Sequence, residues 1–274
     1  TQGYSSAASD VYKRQGLNII SKRNDGYHNL ETIFYPIMIK DALEIVETPN
    51  LETDIFIESG IKTGTNADSN LVMKALQLVR SQYQIPPVEV HLLKKIPFGA
   101  GIGGGSADAA FMLKLINSKY SLGASSKELA DMAAKLGADC PFFIYNRPMF
   151  ASGIGEKLEE VEISFENYYL ILVKPEIFVS TKDAFSAIKP ATPSKNLKDI
   201  VKHPIEEWKN LMFNDFEKSI FPKFPMIEHI KEKLYALGAI YASMTGSGSS
   251  VYAIFNKKTD LKHHFDGCFV WEQE

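Results

Sequence analysis

Between Pro97 and Asp108 the chain reads PFGAGIGGGSAD, with five glycines in the seven positions 99–105. Glycine loses more conformational freedom on folding than any other residue, so this density answers a requirement for bare backbone. Binding an anion imposes that requirement. Without Cβ atoms, successive N–H groups converge on phosphate oxygens, and a helix starting directly afterwards adds its positive end. The flanks fit: Val88-Glu89-Val90-His91-Leu92 alternates and is β-branched like a strand, and an apolar-periodic stretch from Ser106 through Ile116 reads as a helix. Ser106 is placed both to cap that helix and to touch phosphate. A merely flexible surface loop explains the glycines but not this framing.

Three phosphate loops compete. A P-loop ends in Gly-Lys-Ser/Thr, whereas Gly104 is followed by Gly105-Ser106. Gly99-Ala100-Gly101-Ile102-Gly103-Gly104 satisfies the dinucleotide pattern, but Lys94-Lys95-Ile96-Pro97 separates it from its strand. The acidic residue expected about 20 positions on is then Glu128, inside a helix and not at a strand end. The protein-kinase loop requires a following strand, and here a helix follows.

Composition limits the partners. The chain has 274 residues, 30 basic against 33 acidic, and 45% hydrophobic content, as in an ordinary globular protein. A net charge of −3 lacks the broad positive footprint of a duplex binder, so no nucleic-acid partner is expected. Cys140 and Cys268 are too few for a disulfide framework and point to a reducing compartment. The longest strongly apolar run, Tyr168 to Val173, is six residues, against about 20 for a membrane span. The N-terminus shows no apolar signal segment. A cytoplasmic protein acting on a small molecule, as a monomer or weak dimer, is the expectation.

Strand patterns at Leu17–Ile20, Thr32–Ile39, Leu43–Glu47 and Tyr168–Val173 come in groups, and helices do not alternate strictly with them. Asp25-Gly26 marks a hairpin, Asn70 caps a helix through Arg80, and Ser125 with Glu128 forms a capping box. The fold class expected is α+β. Residues 1–15, TQGYSSAASDVYKRQ, carry no sustained period and read as an unmatched N-terminal segment. The loop-like SGIGE at 152–156 marks a boundary between domains 16–155 and 156–274.

PFGAGIGGGSADAA resembles the ATP-binding loop of the GHMP kinases, and Met244-Thr245-Gly246-Ser247-Gly248-Ser249-Ser250-Val251 resembles their C-terminal glycine motif. Within that superfamily, Lys22–Leu30 (KRNDGYHNL) and Gly137–Phe143 (GADCPFF) are similar to the branch that phosphorylates a cytidine diphosphate-linked methylerythritol on its 2-hydroxyl. The likeness runs from residue 16 to about 255. It implies two α+β lobes with the active site in the cleft between them, and ATP with Mg²⁺ as cofactor, though no residue is identified as the Mg²⁺ ligand.

The resemblance assigns ATP binding to Pro97, Phe98, Gly99, Ala100, Gly101, Ile102, Gly103, Gly104, Gly105, Ser106 and Ala107, and the catalytic base to Asp139. Tyr27, His28 and Phe185 fall where that branch holds cytidine. Cys140 is read as a small buried hydrophobe and not a nucleophile. One departure stands out. The branch opens with a strand close to Ala-Lys-Ile-Asn-Leu, whose lysine assists the aspartate; counted back from Gly16, that lysine falls at Tyr12 and the asparagine at Arg14. Lys13 is one place off, which on a strand is the opposite face. The abrupt break at Gln15 reads as a replaced or mistranslated segment on a kinase. Three readings stay open beside it: a homoserine or sugar kinase, a catalytically impaired nucleotide-binding form, and an NAD-dependent dehydrogenase.

Overall fold

Along residues 37–43 every second side chain is buried: Ile37, Ile39, Asp41 and Leu43 point inward while Met38, Lys40 and Ala42 face solvent. That alternation is the signature of a strand with one covered face. In the computed structural model, which describes residues 4–62, 64 and 66–273, it belongs to one of two strands of 19 residues each. In chain order the elements are β1 (Tyr4–Lys22), β2 (His28–Val46), β3 (Ile55–Gly60), α1 (Leu71–Arg80), β4 (Glu89–Lys94), α2 (Gly104–Lys119), α3 (Ser126–Ala134) and α4 (Cys140–Tyr145). There follow β5 (Met149–Ser152), β6 (Lys157–Glu160), β7 (Tyr169–Pro175), α5 (Thr181–Phe185), α6 (Leu197–Ile200), α7 (Ile205–Leu211) and α8 (Glu217–Ile220). The chain ends with α9 (Pro225–Ala236), β8 (Tyr241–Met244), β9 (Val251–Phe255) and β10 (Cys268–Glu272).

Two compact units emerge. The first contains β1 through Val11, then Ile37–Phe98 and Gly103–Asn146. In it β4 pairs antiparallel with the end of β2, Ala42 opposite Leu93, and parallel with β3. Helix α1 packs on α2, and α4 packs on α2 and α3. Val72, Ala75, Leu76 and Val79 form the buried stripe of α1, spaced at i, i+3, i+4 and i+7. Asn70 caps that helix by accepting from the Val72 N–H at 2.9 Å, and Ser125 and Glu128 close a reciprocal capping box on α3.

The second unit contains Tyr12–Pro36, Gly99–Ile102 and Arg147–Glu274. Its antiparallel sheet runs β10-β7-β9-β8, with α9 packed against it over a core that includes Leu17, Ile171, Val173, Ile227 and Leu234. The start of β2 pairs with β5, Thr32 opposite Ala151, and β5 with β6. The α+β class expected from the sequence is the class observed.

Two expectations are corrected. SGIGE is no boundary: it is the β5–β6 hairpin turn, with Ser152 opposite Lys157 and the Gly155 N–H donating to Ser152 O at 3.1 Å. Turns and linkers use the same residues, so composition cannot separate them. The chain passes between units within β1, within β2, at both ends of Gly99–Ile102 and between α4 and β5, so the division is interleaved and not sequential at 155/156.

Residues 4–15, read as an unmatched segment without a sustained period, form the first part of β1. They carry poor residues for that place. Lys13 is 1% exposed, its ammonium 4.1 Å from the Phe165 ring centroid, 4.4 Å from Tyr252 and 5.2 Å from Tyr35, with one bond to Gln15 Oε1 at 2.8 Å. Gln15 Nε2 is itself buried with no acceptor. Tyr12 fills the neighbouring position against Phe34, ring centroids 4.6 Å apart.

Burial drives the Lys13 pKa well below its ordinary value. The unfolded chain therefore binds the proton more tightly, so this group makes stability fall as pH drops below the unfolded value and recover toward it. Replacing Lys13→Ile together with Gln15→Leu is expected to stabilise the fold by about 1–3 kcal/mol near neutral pH. Denaturant titrations from pH 7 to pH 10 check this: the parent gains stability with pH relative to the double variant, and the gap narrows.

Candidate active site

Helix α2 begins at Gly104, and its N-cap is Gly103 in the left-handed region, φ +73°, with no side-chain cap. A glycine cap offers no side-chain acceptor to the first-turn N–H groups, which suits a helix start to an anion. Ser106 is not the cap the sequence led us to expect. It lies inside the first turn of the helix, two residues past its start. Helices start where the backbone turns, and Gly103 turns it earlier than a serine signal places it.

Upstream, Ala100 and Ile102 are buried and anchor the loop, while Gly101 between them has φ +71°. A Cβ on Gly101 would lie 2.6 Å from Gly248 O and 2.7 Å from Thr245 O. Bare backbone is needed there because another backbone runs against it. That second segment is the turn between β8 and β9, the other glycine motif of the sequence. Asn214 holds it, donating from Nδ2 to Met244 O at 2.7 Å and to Gly246 O at 2.8 Å. Neither Asn214 nor Phe178, whose ring packs on Gly99, carries a sequence signal of that role.

Asp139 is half-buried at the N-cap position of α4 and makes no side-chain cap bond there. Asp139 starts the helix α4 that packs on α2, the helix leaving the glycine loop, and all three lie in the first unit. Burial pushes the Cys140 thiol up to about 11, so it is protonated at neutral pH and inert, as expected.

In the second unit, the 23–27 turn is closed by Arg23 N–H donating to Tyr27 O at 2.8 Å and by Asp25 accepting from the Tyr27 N–H at 3.1 Å. This leaves Tyr27 61% exposed and starts β2 at His28. The His28 ring stacks on Phe185 of α5, centroids 4.8 Å apart and planes 24° apart. Phe185 meets Phe216 edge-on at 4.8 Å on its other side. Burial first, and Lys22 second, lower the His28 pKa, which favours a neutral ring. Tyr27, His28 and Phe185, separated by more than 150 positions in the sequence, are thus gathered in one unit with Gly99–Ile102; Pro97, Phe98, Gly103–Ala107 and Asp139 belong to the other.

None of these residues lines a cavity of about 880 Å³ whose walls include Asn18, Lys189, Phe213, Asp215 and Phe221. Phe213 is half exposed there. Among the described residues no group of three or more His, Cys, Asp or Glu is arranged to hold a metal ion, and no helix is long and apolar enough to cross a membrane.

Comparison with known proteins agrees with this geometry. Residues 70–147 match the GHMP kinases N terminal domain and residues 196–263 the GHMP kinases C terminal domain. A crystal structure of a 4-(cytidine 5'-diphospho)-2C-methyl-D-erythritol kinase superposes with TM-score 0.78 at 28% identity, covering 91% of this chain and 89% of that one. A homoserine kinase from Cytophaga hutchinsonii shares the fold, with TM-score 0.72 at 17% identity, covering 99% of this chain and 94% of that one. Fold and loop together define a GHMP kinase.

The 4-diphosphocytidyl-2-C-methyl-D-erythritol kinase of Parabacteroides distasonis is 54% identical over 259 residues, 94% of each chain. That of Porphyromonas gingivalis is 43% identical over 260 residues, again 94% of each. This chain belongs to the 4-diphosphocytidyl-2-C-methyl-D-erythritol kinase family.

Gly101→Ala forces a left-handed residue and a backbone collision together, a penalty of about 1–3 kcal/mol. ATP affinity by calorimetry is expected to fall about tenfold or more. Gly26→Ala is the control: its φ is +87° but the space around it is open, so ATP affinity should be kept.

Proposed function

We propose that this chain transfers the γ-phosphoryl group of ATP to the 2-hydroxyl of 4-diphosphocytidyl-2-C-methyl-D-erythritol, a step in isoprenoid precursor synthesis. The observation that carries the proposal is identity of 54% along 94% of the chain with a kinase of that name. In this reading the loop from Pro97 to Ala107 holds the ATP phosphates, with the uncapped start of α2 as the positive end. Mg²⁺ binds through substrate phosphates and usually keeps several waters, so it would enter with the nucleotide.

Asp139 takes the proton of the 2-hydroxyl as that oxygen attacks the γ-phosphorus. The bond between the γ-phosphorus and the bridging oxygen breaks, and ADP leaves with the electron pair. Positioning and charge stabilisation supply most of the acceleration in such a transfer, and a general base adds about 10²–10⁴-fold. Tyr27 offers an open face to the cytosine, and Phe185 fixes the plane of His28 beside it. This pairing of a base with aromatic rings favours a cytidylyl substrate over homoserine or a sugar, and the short strand-to-glycine geometry of a dinucleotide loop, needed for NAD, is absent from the sequence.

A second reading, a catalytically slow nucleotide-binding form, is favoured by one observation. The lysine next in sequence to the position expected of the family's catalytic cation is Lys13, and its ammonium is enclosed by Tyr35, Phe165 and Tyr252. Replacing residues 11–15 by Ala-Lys-Ile-Asn-Leu separates the two readings. Turnover is expected to rise about 10²-fold or more, the usual worth of one positioned group in the transition state, with ATP affinity unchanged. If the parent is already as fast, the lysine is dispensable.

In the repaired chain Asp139→Asn should lower kcat about 10²–10⁴-fold with little change in either KM. Tyr27→Ala should raise KM for the cytidylyl substrate by about tenfold while leaving that for ATP unchanged, since base–aromatic stacking is worth about 1–3 kcal/mol. Steady-state kinetics with each substrate varied in turn checks both, and full kcat in Asp139→Asn would remove it as the base.

A further inference from the structure

Beneath the glycine loop lies a charge cluster that the reaction itself does not use. Lys94, the last residue of β4, donates from its ammonium to Asp41 of β2 and, at 2.7 Å, to Asp108 of α2. The other Asp41 oxygen accepts the Lys95 N–H at 2.6 Å and the Ile96 N–H at 2.9 Å. The second Asp108 oxygen accepts from Ser9 Oγ at 2.6 Å. All three charged side chains are buried, at 5% exposure or less.

Burying three charges is expensive, and apolar side chains of similar volume often serve stability as well or better. Placement supplies the reason for keeping them. Lys94–Ile96 is the chain entering the loop, and Asp108 is in the second turn of the helix leaving it. Asp41 and Lys94 therefore tie entry to exit. The same ammonium lies behind the loop's own backbone: a Cβ on Gly104 would be 3.6 Å from Lys94 Nζ and 3.2 Å from Ile96 Cγ2. A cation at that point adds to the positive end of α2, which faces the phosphate site. Burial pushes the Asp108 carboxyl up to about 6 against the pull of Lys94, and the two aspartates outweigh burial to raise Lys94, so its positive charge is retained.

We propose that Lys94, Asp41 and Asp108 are positioning residues of the phosphate site, a buried clip that holds both ends of the glycine loop in register for the nucleotide. The inference rests on the loop being the ATP site. Asp108→Asn, which keeps shape and removes charge, is the principal test, with Lys94→Met beside it. Binding of a non-hydrolysable ATP analogue should weaken about tenfold or more, while Kd for the cytidylyl substrate stays within about twofold, at unchanged circular dichroism. Hydrogen exchange of the amides at 99–105 should accelerate in the same variants.

Analogue affinity within about twofold of the parent, or equal losses for both ligands, would overturn the clip, the latter because it reports general loosening. If Lys94→Met fails to fold, Asp108→Asn decides alone. If the parent itself binds no analogue, the ATP reading fails instead, and unchanged exchange at 99–105 in Asp108→Asn would still overturn the clip.

Discussion

Two backbones meet at Gly101 with no room for a side chain between them. The carbonyl groups of Thr245 and Gly248 occupy the space where a Cβ would project, so the glycine loop runs against that turn only as bare backbone. Asn214 fixes the facing turn through two carbonyls, and a bridge between Asn214 and Leu17, with the Leu17 N–H donating to Phe213 O at 2.9 Å, joins it to β1. A glycine here is thus a packing requirement before it is a binding one. The left-handed turns that let N–H groups converge on phosphate follow from the same absence of Cβ.

Two buried lysines show how differently a fold can treat the same group. Lys94 is matched by two carboxylates and placed behind a helix start, so its charge is kept and directed. Lys13 has three aromatic rings and one amide about its ammonium, and burial lowers its pKa; among the described residues it pairs with no carboxylate. Sequences that specify one structure agree across levels, and residues 12–15 do not: tyrosine and lysine stand where the family strand has lysine and isoleucine, and glutamine is buried with half its amide unmatched. The rest of β1, from Gly16 onward, shows no such conflict, with Leu17 and Ile19 fully buried.

Much of the fold is legible because local signals and packing agree. The α1 cap at Asn70, the α3 capping box and the strand at 89–94 are written within a few residues of where they act. The four motifs that carry the family likeness are legible for the same reason. What escapes is what the third dimension supplies. The direct stacking of His28 on Phe185 has no signal in the sequence, where the family likeness sets both residues only against cytidine, and nothing local links positions so far apart. Asp41 looks like an error on the buried face of a strand until Lys94 and two N–H groups are found beside it. Residues 4–15 read as irregular because they lack alternation, yet pairing with β2 imposes strand geometry on them, as neighbours override weak propensity.

The proposed function requires a working phosphate site and a cytidine-directed face in this chain, beside a first strand that carries Tyr12 where the family pattern has lysine. Phosphorus NMR of ATP incubated with the repaired chain tests it most directly, using 4-diphosphocytidyl-2-C-methyl-D-erythritol and homoserine in separate samples. The prediction is a new phosphomonoester resonance, with matching ADP, in the first sample only, and at a much slower rate with the parent chain. A phosphomonoester formed preferentially on homoserine, or none on either acceptor with ATP left intact, would contradict it.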